Sequence, residues 1–282
     1  MTNKRNPYLD HNGNPLLRRS VVAFIDILGY TDWVVHAEAS GAPRDFLVSL
    51  RDALLDSVKS VDEELREDSK IFPVKFAETD RYRVHTFTDS ILIGFPIQDD
   101  AEMELGSLFW KLGFFQLAMV NRGFFLRGAI SIGDLFMDET IIFGGGLIEA
   151  YQGERKLARD PRIILTDSAA TAVKTHLTYY SSAERSPQAR DLFVDADGQY
   201  FLNYLDTVLV AEVEQGPFYE DLEKHKKSIE TRLDQFRSQP SVWSKYAWVG
   251  NYHNFFCDQH SYFSDQHKVD LSKFHMSPTR IA

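Results

Sequence analysis

Two aspartates of this chain stand where aspartate is costly. Asp26 interrupts the apolar run Val21 to Ile27, in Phe24-Ile25-Asp26-Ile27-Leu28-Gly29, and Asp89 sits in Thr86-Phe87-Thr88-Asp89-Ser90 between two strand-like runs. A carboxylate at the end of a buried strand costs several kcal/mol of desolvation unless it is paired, hydrogen-bonded or bound to metal. Two carboxylates brought together repel each other, and a divalent cation between them removes that repulsion while creating a site for phosphate. Magnesium or manganese suits such hard oxygen donors, and two such ions can bridge a pair of aspartates. Each residue taken singly also has a plain structural reading: Asp26 as a helix cap, Asp89 as a turn former.

The elements that must position them are legible in the hydrophobic pattern. Residues 1–20 carry Asn-Pro and Asn-Gly steps and read as an irregular arm, with order expected from Val21. Val21 to Ile27 reads as a strand buried on both faces. Phe46, Leu50, Leu54, Val58, Val61 and Leu65 recur at three- and four-residue steps and mark an amphipathic helix. Arg83 to Phe87 and Ile91 to Phe95 read as a hairpin with Asp89 at its tip, followed by a helix over Asp100 to Val120 and a strand over Phe124 to Ile132. The order β-α-β-β-α-β is the ferredoxin-like arrangement, in which the first and third strands are antiparallel neighbours. That topology brings the end of the first strand to the hairpin tip, and so Asp26 to Asp89.

Beyond this core the pattern predicts a strand near Thr140 to Phe143, a glycine turn at Gly144-Gly145-Gly146, a helix through Ala158 and a strand over Arg162 to Thr166. The fold class is therefore α+β, with a core over residues 21–166 on an extended sheet and a C-terminal α/β elaboration over 167–282. In the elaboration, strands are expected near Leu192 and Val208 and a charged helix over Asp221 to Phe236. The aromatic segment from Trp243 to Phe256 reads as a cover for the sheet.

Bulk composition narrows the chemistry. A formal net charge of -10 argues against a surface laid along nucleic-acid phosphates. The single Cys257 excludes an intrachain disulfide framework and a cysteine-rich zinc site, which points to a reducing, cytoplasmic setting. The most apolar stretch, Leu108 to Val120, is interrupted by Lys111 and too short to span a bilayer. Leu28-Gly29-Tyr30 reads as a strand-to-helix turn whose backbone N–H groups can receive a phosphate chain.

Three stretches carry a family resemblance. Phe24 to Gly29, Phe87-Thr88-Asp89-Ser90-Ile91, and Arg127-Gly128-Ala129-Ile130-Ser131-Ile132-Gly133 with Gly144 to Glu154 together resemble the class III nucleotidyl cyclases. Within these the chain is similar to the Pycsar-type pyrimidine cyclases of bacterial anti-phage defence. The resemblance implies conversion of UTP, or alternatively CTP, to the 3',5'-cyclic nucleotide and diphosphate. It implies a homodimer with shared active sites, and a product sensed by a separate effector protein. By the same resemblance Asp26, the Ile27 carbonyl and Asp89 hold two Mn2+ or Mg2+ ions.

The chain departs from the purine-cyclase pattern where that family carries an Asn and, four residues later, an Arg; here Glu149 and Gly153 stand instead. Another cation must then neutralise the developing phosphate charge. Arg127 is the first candidate, ahead of Arg155 and Lys156. His85 takes the place of the purine-selecting lysine and, with Tyr82 and Arg83, is a candidate reader of a smaller base. Two rival functions stand beside this one: a degenerate cyclase domain that only binds nucleotide or dimerises, and a phosphodiesterase or nuclease using the same carboxylates with water.

Overall fold

The computed structural model describes residues 6–67, 81–209 and 216–274. At its centre lies β1 (Arg18–Ile27), ten residues long, with Val21, Val22 and Ala23 fully buried. It runs antiparallel to β3 (Ser90–Pro96) on one side and to β4 (Leu126–Met137) on the other. β2 (Arg83–Phe87) closes that edge against β3, giving the order β2-β3-β1-β4 expected of the β-α-β-β-α-β core. Beyond β4 the same sheet continues through β6 (Ile163–Leu165), which is parallel to β4, and then β8 (Tyr200–Leu202) and β7 (Leu192–Val194). The short β5 (Ile142–Phe143) pairs with the far end of β4.

Alternation along these strands divides the side chains between two faces. Val21, Ala23, Ile25, Ile27, Ile91, Ile93 and Ile130 face a core built against α2 (Pro43–Glu67) and α3 (Glu102–Asn121). α3 is apolar nearly all round and buried along most of its length; Lys111 lies within it with its ammonium 5.9 Å from the Tyr82 ring. No helix among the described residues is long and apolar enough to cross a membrane. The opposite face carries Val22, Phe24, Asp26, Arg127 and Ala129, and α4 (Gly145–Lys156) covers part of it. α1 (Tyr30–Ala39) follows β1 directly, and α5 (Asp167–Leu177) follows β6.

Two expectations are corrected. The arm is packed rather than loose: β1 starts at Arg18, and Tyr8 is fully buried with its hydroxyl 2.9 Å from Ser20 Oγ. The segment around Val208 is a 3-10 turn over Tyr204–Leu209, and the strand lies earlier, at Tyr200–Leu202, where Phe201 and Leu202 are buried. Val208 is apolar because it is buried, not because it is extended.

The C-terminal part adds α6 (Pro187–Asp191), α7 (Tyr219–Gln235) and α8 (Pro240–Gln259). α7 and α8 are tied together by a buried relay. Tyr204 Oη lies 2.8 Å from His225 Nε2, His225 Nδ1 lies 2.9 Å from His253 Nδ1, and His253 Nε2 lies 2.9 Å from the His267 carbonyl. Because that carbonyl only accepts, His253 donates from Nε2, His225 donates from Nδ1, and the tyrosine donates to His225: one neutral tautomer of each ring satisfies the chain. Across the sheet, Arg162 from β6 pairs with Asp195 and Asp197, and its guanidinium lies 5.5 Å from the Trp248 ring of α8.

Candidate active site

The register fixes the site. Asp26 is the Cα partner of Ser90 on β3 and of Arg127 on β4, so all three lie side by side at the carboxyl end of β1. The hairpin loop is only Thr88-Asp89, because Ser90 is already paired with Phe87. Thr88 takes φ of 52°, costly for a β-branched residue, and its hydroxyl lies 2.7 Å from both the Phe87 carbonyl and Asp89 Oδ1. That local strain holds the second aspartate at the tip. The Ile27 N–H donates to the Asp89 carbonyl at 3.2 Å. The Ile27 carbonyl lies on the same edge of β1 as its N–H, so the ladder geometry aims it at the tip.

Asp26 does not cap α1. The N-cap is Gly29, in the left-handed region with φ of 79°, and no side chain bonds the helix start. Instead Arg127 Nε and Nη2 each donate to Asp26 Oδ2 at 3.1 Å. The same Nη2 lies 2.9 Å from Glu154 Oε1, an oxygen with no well-aligned hydrogen bond, so that contact is ionic. The sequence does not single out Glu154, because nothing in the stretch from Gly144 to Glu154 tells which glutamate turns inward.

Two carboxylates therefore share one guanidinium, and Asp89 acts on both of them through charge. Burial pushes the Asp26 carboxyl up to about 6; Arg127 opposes this, and Asp89 and Glu154 add to it. Glu154 is raised by burial as well, with Arg127 opposing and Asp89 reinforcing. Such a surplus of buried negative charge fits a divalent cation. Among the described residues no three His, Cys, Asp or Glu side chains converge as a ready-made metal cage. The available donors are two carboxylates and a carbonyl, the sparse oxygen set of an ion that completes its shell with water and phosphate.

The other residues singled out fall in different places. His85 shares a sheet face with Asp26, one pleat repeat further along, and with Arg83 lines a groove of about 890 Å³ near Asp10, His11 and Asp138. Tyr82 is turned the other way, buried with its ring 5.6 Å from Phe95, so it belongs to the core and not to a base site. The Leu28 N–H is already given to the Phe125 carbonyl at 2.8 Å, which corrects its assignment to the phosphate chain. The first helical bond of α1 is from Trp33 N–H to the Gly29 carbonyl, leaving the amides of Tyr30, Thr31 and Asp32 ahead of it. Arg155 is exposed in the last turn of α4 and acts on Glu154 through charge.

Glu149 and Gly153 have structural tasks. Glu149 Oε1 accepts from the Ser168 N–H at 3.3 Å, near the start of α5. A Cβ on Gly153 would stand 2.8 Å from both Ala129 Cβ and Thr166 Cγ2, so α4 lies too close to the sheet for any side chain there. A second cation, unforeseen in the sequence, stands near Arg127: Lys245 of α8.

No protein-family model and no curated protein matches this sequence. Among solved structures, one similar chain is a class III adenylyl cyclase-like ATP-binding protein from Pseudomonas aeruginosa. The TM-score is 0.37 and the identity 12%, over 57% of this chain and 37% of that one. This chain thus spans little more than a third of that protein's length, and similarity at that level says nothing of activity.

Proposed function

We propose that this protein is a nucleotidyl cyclase that converts UTP to 3',5'-cyclic UMP and diphosphate, with CTP as the alternative substrate. The observation that carries this reading is the pairing of Asp26 and Glu154 with Arg127 at the carboxyl end of the central strand, next to the Asp89 tip and the open amides of α1. Asp26, Asp89 and the Ile27 carbonyl are the residues that would hold Mn2+ or Mg2+. Such ions, when bound, neutralise the polyphosphate and favour ionisation of the attacking ribose hydroxyl.

The chain's own groups do the rest. The Tyr30 and Thr31 amides at the start of α1 orient the phosphate chain, and the positive φ of Gly29 turns the backbone to present them. Arg127 is the cation nearest the aspartates and takes the place of the arginine that Gly153 cannot supply, meeting charge as it develops on the phosphate. His85 and Arg83, on the same face, are placed to read the edge of a single-ring base. That face is only partly covered by α4, Phe87 at the tip of β2 is 71% exposed, and Ile148 and Tyr151 of α4 are exposed as well. The apolar border supports a homodimer in which the two open faces meet. The family resemblance gives the product its task, a second messenger for a separate effector in anti-phage defence.

A second reading, a nucleotide-binding module without turnover, is favoured by the close packing at Gly153. One assay decides between them. The full chain is incubated with each of the four ribonucleoside triphosphates and Mn2+, and products are identified by mass spectrometry. Cyclic UMP or cyclic CMP is expected. Binding without any cyclic product establishes the module, and hydrolysis to linear products establishes the phosphodiesterase-type rival.

A further inference from the structure

α8 brings to the site a cation that forms no ion pair among the described residues. Lys245 lines a cavity of about 830 Å³ whose walls include Gly29, Asp32, Trp33, Phe46 and Tyr246. It makes no hydrogen bond and no ion pair among the described residues, unlike Arg232 in the same cavity. Arg232 Nη2 donates to the Gly123 carbonyl at 2.9 Å, and its guanidinium lies 4.5 Å from the Trp33 ring. Burial holds the Lys245 amine below its usual range, and the strongest charged neighbour is Arg127, another cation; Asp160 and Asp32 oppose this and Arg159 adds to it.

Two cations drawn together, one of them half-withdrawn from water and unpaired, mark a place where an anion is favoured. The cavity is also lined by Gly29, the residue at which α1 begins, and by Asp32 and Trp33 in its first turn, so Lys245 and the start of α1 share one space. Asp32 and Asp45 line it too, which leaves Lys245 as the group that must tip its balance toward a negative ligand. With Asp26 engaged by a metal, Arg127 would keep Glu154 as its partner, and Arg127 from β4 and Lys245 from α8 would be the cations available to a phosphate chain.

Resting on the cyclase reading, we infer that Lys245 binds the phosphate chain of the nucleotide, reaching it from α8 across the cavity beside α1. Its task is to hold the polyphosphate, and it has no part in reading the base. The C-terminal segment would then be a working wall of the site as well as a cover for the sheet.

The test compares the wild-type chain with Lys245→Met, which keeps the aliphatic stem, and Lys245→Arg, which keeps the charge. Calorimetric titrations with inorganic tripolyphosphate, UTP and uridine, each with Mn2+ present, are combined with steady-state kinetics and thermal melting. Lys245→Met is expected to weaken tripolyphosphate and UTP by about tenfold, the loss of about 1.4 kcal/mol expected of one charge-assisted contact. KM rises by a similar factor, while uridine affinity and melting temperature are unchanged. Lys245→Arg stays within about threefold of wild type, as a retained charge requires. Equal tripolyphosphate affinity in wild type and Lys245→Met overturns the assignment, as does equal weakening of uridine. If cyclic product forms with KM unchanged in Lys245→Met, this inference fails and the cyclase reading stands. If tripolyphosphate binding depends on Lys245 but no cyclic product forms, the cyclase reading fails and the phosphate assignment stands.

Discussion

Replacing Asp26 by Asn should make the metal-free protein more stable while removing the proposed metal site. In the fold, the Asp26 carboxyl is raised from 3.8 to about 6, which at neutral pH is a penalty of about 3 kcal/mol for holding it ionised. Its side chain is 16% exposed, so solvent screening reduces this only in part. Asn keeps an oxygen for the Arg127 donors but loses the charge assistance, which returns about 1 kcal/mol of the gain. A net gain of about 1 to 2 kcal/mol corresponds to a melting temperature higher by about 2 to 4 °C. The assay is thermal unfolding at pH 7.5 with chelator, repeated with increasing Mn2+. Wild type should climb with metal and overtake the variant, whose melting temperature stays flat. The reasoning is refuted if Asp26→Asn melts below wild type in chelator, or if it retains the metal-dependent rise. A residue that costs stability where it stands, and repays this only with a ligand, is what a functional site predicts.

Four further outcomes follow from the same geometry. Asp89→Ala should lose both cyclic product and the Mn2+-dependent rise while melting within about 1 kcal/mol of wild type, since Asp89 sits at a hairpin tip. Arg127→Ala should abolish cyclisation with metal binding intact and lower stability in chelator by about 2 to 4 kcal/mol, because Asp26 and Glu154 lose their shared partner; Mn2+ should recover part of that loss. Gly153→Arg should cost about 1 to 3 kcal/mol in urea denaturation and raise no activity, because its Cβ collides with Ala129 and Thr166. The buried histidines set the acid limb. His253 is held down to about 4 and His225 well below its usual value by burial, so the unfolded chain binds more protons below about pH 6.5 and stability falls toward pH 4. Asp26, raised to about 6, works in the opposite direction over that window, so Asp26→Asn should show the steeper acid loss; parallel pH profiles for the two proteins would refute this.

The core of the fold was legible because its elements announce themselves locally. β1 is a β-branched run closed by a glycine, β2 and β3 flank a two-residue turn, and α2 and α3 repeat at helical spacing. The pairing of Asp26 with the Asp89 tip followed from topology alone. Tyr82 shows where attention to alternation would have helped: it precedes Arg83 and His85 by odd steps, and so belongs to the other face from His85. The strand expected at Val208 was misplaced because a buried 3-10 turn and a short strand look alike in hydropathy. Glu154 and Lys245 were out of reach for a different reason. Their places depend on how α4 and α8 dock, and a charged residue on a helix gives no local sign of whether it faces water or a site. Gly153 was visible as a departure, but its cause, the approach of α4 to the sheet, is a tertiary distance.

The packed arm ahead of β1 has a practical meaning. Tyr8 fills a hole over Gly94, where a Cβ would stand 2.6 Å from its hydroxyl, and Asn6, Leu9, Asp10 and His11 border the groove that also holds His85. A protein shortened to begin at Val21, where the hydrophobic pattern starts, would keep every strand of the core after its first three residues and still lose one bank of that groove. On the cyclase reading, such a trimmed protein would retain its carboxylates and the proposed metal site yet discriminate poorly between bases, so loss of selectivity in a truncated preparation would report on the arm and not on Asp26 and Asp89.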